Sequence, residues 1–69
     1  MDRINYEVSL RNQRQETLIV EGFVTLKDAD EWVARVLSPV AATCAHVVRI
    51  KDMVEVRHWV RLDGIWNRS

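Results

Sequence analysis

RHWVRLDGIWNR, residues 57–68, decides how this chain folds. Asp63 and Gly64 form the two-residue signal of a tight hairpin, because both tolerate the positive φ that a primed turn requires, and such a turn pairs Leu62 with Ile65. Counting outward from that pair, Arg61 faces Trp66 and Trp59 faces Arg68. Three arginines and two of the chain's three tryptophans thereby share one side of a ribbon. Alternation sets them opposite Val54, Val56 and Val60, the side expected to be buried. An arginine over an indole is favourable by about 0.5–1 kcal/mol when exposed, so these pairs can stand on an open face without a core beneath them.

The preceding segment extends the ribbon. Cys44, His46, Val48 and Ile50 alternate, as do Val54, Val56, His58, Val60 and Leu62. A three-residue loop at Lys51, Asp52 and Met53 sets Ile50 against Val54 and Val48 against Val56, keeping one apolar face together, whereas a two-residue loop would set valines against charges. In this register His46 lies across from His58, and Glu55 lies across from Arg49 as a cross-strand ion pair.

Toward the N-terminus, Ile4, Tyr6, Val8 and Leu10 alternate with polar residues, the period of a strand with one buried face. Asn12 to Glu16 reads as a loop, and Leu18, Val20, Gly22 and Val24 resume on one face of a second strand. Placing Leu10 opposite Leu18 sets Tyr6 over Gly22 and leaves Ile19 and Phe23 on the reverse face. Thr25 opens a helix, its hydroxyl capping free amides with Asp28 three residues on. Leu26, Ala29, Trp32, Val33, Val36 and Leu37 recur at helical spacing, Glu31 can pair with Arg35, and the helix is expected to end near Ser38 because Pro39 cannot continue it. Ser38 and Pro39 also fit the start of a further helical turn. The order is ββαβββ: an α+β chain with one antiparallel five-stranded sheet, a single helix on one face, and one domain over residues 1–69.

Sixty-nine residues bury only about 60% of the surface that the unfolded chain exposes, which leaves room for a stabilising partner. Net charge is zero, with four basic and seven acidic residues in 1–34 and six basic and three acidic in 35–69. This argues against a general nucleic-acid binder and against an acidic nucleic-acid mimic. No run of about 18 apolar residues or signal-peptide pattern is present, which predicts a cytoplasmic protein that does not enter the membrane.

Two constellations carry chemistry. Arg49, Arg57, Trp59, Arg61, Trp66 and Arg68 form either a brace on the sheet or a recognition face, since Trp and Arg are enriched where binding energy concentrates. A protein partner fits this face better than nucleic acid, which would stack bases on Trp59 and Trp66 while arginines met phosphates. Cys44, His46 and His58 bring imidazole and thiolate donors together, but a fourth zinc ligand and the usual close-spaced ligand pairs are missing. No metal or other cofactor is expected. Gly-rich phosphate loops, a nucleophile elbow and a metalloprotease motif are also missing, and a Cys44 nucleophile would need an electropositive, accessible setting that the sequence does not supply. An enzyme is not expected.

The capped step Val24, Thr25, Leu26, Ala29, the strand Val47, Val48, Arg49, Ile50 and the Asp63–Gly64 turn followed by Trp66 resemble small anti-CRISPR proteins of phages and mobile elements, especially inhibitors of type I surveillance complexes. The likeness runs from Val20 to Trp66. The spacing after the turn and the interleaved Arg and Trp residues depart from it, so no site residue transfers. The resemblance implies a non-enzymatic inhibitor in the host cytoplasm that docks on a Cas subunit and blocks target DNA binding or nuclease recruitment. The competing reading is a homo-oligomeric or nucleic-acid-binding accessory protein, with Ile19 and Phe23 as a homodimer seam.

Overall fold

The computed structural model describes residues 3–36 and 41–68. Five strands, β1 (Tyr6–Asn12), β2 (Thr17–Phe23), β3 (Ala42–Arg49), β4 (Val54–Leu62) and β5 (Ile65–Arg68), form one antiparallel sheet, with a single helix, α1 (Leu26–Arg35), following β2. The sheet order is β2-β1-β3-β4-β5, so the two hairpins meet where β1 pairs with β3. No described helix is long and apolar enough to cross a membrane.

Each local device behaves as its residues dictate. Thr25 is the N-cap of α1, and its Oγ1 accepts from the Asp28 amide at 3.1 Å. Glu31 and Arg35 pair at 3.0 Å one turn apart. The helix stops at Arg35, with Val36 already extended, three residues before the position expected for its end. The further turn expected at Ser38 and Pro39 lies outside the described residues. Asp63 and Gly64 both take positive φ, 53° and 79°, and Leu62 pairs with Ile65.

The first two hairpins depart from simple counting. In the β1–β2 loop, Asn12 Oδ1 accepts from the amides of Arg14 and Glu16, and Gln15 adopts φ 66°. A bulge then shifts the register between Leu10 and Arg11, so Leu10 pairs with Ile19, and Tyr6 with Phe23. One residue of slip turns a strand over. Ile19 and Phe23 consequently face the helix and pack against the core, Phe23 on Trp32 with ring centroids 5.6 Å apart, and do not stand on the reverse face, the side expected to form a dimer seam. Leu18 and Val20 point the other way and are exposed. Ile4, not Tyr6, covers Gly22: a Cβ there would lie 2.9 Å from the Ile4 side chain.

In the β3–β4 hairpin, Arg49 pairs with Val54 and Val48 with Glu55, and a bulge at Val56 restores the pairing of Val47 with Arg57 and His46 with His58. Met53 takes the left-handed conformation, φ 57°. The expected Arg49–Glu55 ion pair is absent. Arg49 instead forks onto Asp52 within the turn, and Glu55 contacts His46.

The core lies between α1 and one face of the sheet: Val8, Leu10, Ala29, Val33, Ala42, Ala45, Val47 and Trp59. Its orientation is set at the central pairing. Val8 and Leu10 must be buried, they sit opposite Val47 and Ala45, and Ala45 sits opposite Trp59. The small Ala45 side chain leaves room for the indole, whose burial removes far more apolar area than that of a valine.

Candidate functional site

The hairpin pairs the residues as the turn requires, but on the opposite side from the one expected. Arg61 stands over Trp66 and Arg68 over Trp59, each with its guanidinium carbon 6.0 Å from the ring centroid. This ladder projects to the helix side. Trp59 is 8% exposed and belongs to the core, so it is not available as a contact residue. Its indole N–H is buried without a hydrogen-bond partner, a cost accepted for the apolar area it buries.

The helix adds a residue that sequence reasoning missed. Asp30 Oδ2 accepts from Arg57 Nε at 3.4 Å and lies 3.5 Å from Arg68 Nη1, so one carboxylate on α1 meets two guanidinium groups from β4 and β5. Its second oxygen, Oδ1, is buried without a partner. Arg57 also donates to the Val56 carbonyl. Two cations against one carboxylate leave this flank of the sheet electropositive beside the half-buried Trp66. The structure therefore brings Arg57 and Arg68 together on Asp30, with Arg61 and Trp66 stacked further along the same hairpin. Arg49 stands apart, at the end of the sheet near Tyr6, held by Asp52. That pair lowers the Asp52 pKa below its ordinary value, chiefly through the hydrogen bond from Arg49, and raises the Arg49 pKa in return.

The face away from α1 carries the second constellation. His46 and His58 stack with centroids 4.7 Å apart and planes inclined by 18°. Cys44 Sγ lies 3.6 Å from His46 Nε2, while His46 Nδ1 contacts the Glu55 carboxylate. The His46 ring thus stands between sulfur and carboxylate, presenting a different nitrogen to each. Among the described residues no group of three or more His, Cys, Asp or Glu side chains is arranged to hold a metal ion. Glu55 was missed as a partner of His46 because the bulge at Val56 moves it from Arg49 to Val48; a glutamate three residues before the paired His58 was the available signal.

No protein-family model, curated protein or solved structure matches this chain.

Proposed function

We propose that this protein is a small non-enzymatic inhibitor that acts by occupying a protein partner, with Arg57, Arg61, Trp66 and Arg68 as its contact surface. The observation that carries the reading is the shared carboxylate: Arg57 and Arg68 both turn to Asp30, leaving surplus positive charge next to an aromatic ring. A surface of that kind suits a partner presenting carboxylates around an apolar pocket, where Trp and Arg contribute most to binding. The sequence resemblance supports a finer reading, an anti-CRISPR protein that docks on a Cas subunit of a type I surveillance complex and blocks target DNA binding or nuclease recruitment.

The test is affinity capture from a host carrying a type I CRISPR system, using the wild type and an Arg61→Glu, Trp66→Ala double variant whose circular dichroism matches the wild type. Recovery of a Cas subunit by the wild type and its loss with the variant is the expected result. Recovery by both moves the contact elsewhere on the molecule, and recovery by neither removes the Cas reading.

A second reading, a homo-oligomer, is favoured by Leu18 and Val20, which are 39% and 51% exposed on the free edge strand β2. It requires a concentration-dependent mass in sedimentation that Val20→Lys abolishes.

A further inference from the structure

The face away from the helix holds an arrangement that binding on the helix side leaves unused. Glu55, His46 and Cys44 follow one another across β4 and β3, carboxylate to Nδ1 and Nε2 to sulfur. A carboxylate can only accept, so Nδ1 carries the ring proton of the neutral imidazole and Nε2 presents its lone pair to the thiol. A nucleophile, a base within reach of it, and a third group orienting the base make up the general pattern of an activated nucleophile. The sequence lacked the third member, which the bulge at Val56 supplies by turning Glu55 toward His46.

The setting suits a thiol of this kind. Arg11 lies directly opposite Cys44 on β1. The thiol can also donate to the Arg11 carbonyl at 3.9 Å and to Gln15 Oε1 at 4.0 Å, both longer than its 3.6 Å approach to His46 Nε2. Cys44 itself is 7% exposed, and it lines a hollow of about 370 Å³ whose walls include Gln13, Thr43 and His58. A hollow of that size admits a small molecule. Cys44 is the chain's one cysteine, so no second thiol of the same chain can resolve an adduct.

We propose that Cys44 is a modification site for low-molecular-weight disulfides. His46 Nε2 accepts the thiol proton as the sulfur's electron pair attacks one sulfur of the incoming disulfide. The disulfide bond breaks, a mixed disulfide forms on Cys44, and the departing thiolate takes the proton from His46. One disulfide is consumed and one is formed, so no further oxidant is involved. The adduct persists until an external thiol reverses the exchange. It occupies the uncovered face, where Arg61 of the ladder also lines the hollow.

Oxidised glutathione is the probe, with adduct formation followed by intact mass for the wild type, His46→Gln and Glu55→Gln, each folded and in guanidinium. The folded wild type should gain one glutathionyl group at least about tenfold faster than folded His46→Gln, within the usual range for loss of a general base. Glu55→Gln should fall between them, and all three should react alike once unfolded. Equal rates for the folded chains, or no adduct on the folded wild type, overturn the proposal. Should His46→Gln fail to fold, Glu55→Gln decides the question alone, because the Glu55 side chain is 47% exposed and its amide replacement leaves the sheet intact.

Discussion

Asp30 of α1 and Arg57 of β4, 27 residues apart in sequence, meet at 3.4 Å and tie the helix to the second hairpin. The helix otherwise packs on β1 and β2. Both partners are partly exposed, so the pair is worth far less than a fully buried one. Replacing Asp30 with Asn should lower stability by about 1 kcal/mol at low salt, because Arg57 and Arg68 would then face each other without a carboxylate between them. Raising salt to about 1 M should shrink that difference by screening the charges. Urea unfolding of the wild type and the variant at both salt concentrations measures the effect, and an unchanged midpoint at low salt would show the contact to be energetically idle.

The two tryptophans of the last hairpin differ sharply in what they hold together. Trp59 touches the core and is 8% exposed, whereas Trp66 packs on its margin. Truncating Trp59 to Ala should cost about 3–5 kcal/mol, a loss comparable with the whole stability of a chain this short, roughly 3–10 kcal/mol at the usual value per residue. Trp66→Ala should cost about 1 kcal/mol, the ladder contact plus a little apolar area. Thermal unfolding by circular dichroism separates them: the first variant should be unfolded or nearly so at room temperature, the second folded with a modest drop in Tm.

The element order was legible because local chemistry wrote it. Asp63–Gly64 specifies a hairpin by itself, Thr25 caps whichever segment follows it, and Tyr6, Val8 and Leu10 alternate without ambiguity. Which face of the second hairpin is buried could not be read the same way. Its two sides are nearly matched in apolar content, Ala45, Val47 and Trp59 against Cys44, Val48 and Val60, and counting valines favours the wrong one. What decides between them is the pairing of Leu10 with Ala45, a contact between distant strands that no local period encodes. The turn predicts the partners Arg61–Trp66 and Trp59–Arg68, while β1 determines the side to which they project. The bulges at Val56 and near Leu18 were equally hidden, since each reverses parity through a single extra residue.

Acid should weaken the β3–β4 turn through one identifiable group. The Arg49 guanidinium holds the Asp52 carboxyl below its ordinary pKa in the folded chain. A group whose folded pKa is depressed contributes stability above its unfolded pKa and loses it as pH falls through the lower folded value. The contribution is therefore fully present at neutral pH and disappears on the acid side of the carboxylate range. Asp52→Asn should be slightly less stable than the wild type at pH 7 and indistinguishable from it once Asp52 is protonated. Unfolding midpoints taken down the acid limb test this, and a gap that persists at the lowest pH would show that the loss does not come from the carboxylate's charge, since Asn keeps an oxygen able to accept from the Val54 amide.

Gly64 offers a cleaner reading of backbone cost. Its φ is 79° and nothing lies within 4 Å of where a Cβ would stand, so a substitution there meets strain but no clash. Ala at this position must hold a left-handed conformation that glycine adopts freely, at a cost of about 1 kcal/mol. Asn, which tolerates that conformation better, should recover part of the loss. The strain falls on the turn that sets Arg61 against Trp66, so Gly64→Ala should also loosen that pair, visible as faster amide exchange at Arg61 and Trp66 while the rest of the sheet keeps its protection. If Gly64→Ala unfolds at the wild-type midpoint, the turn is not held in the primed geometry and the register it imposes on Trp59 and Arg68 must come from the core alone.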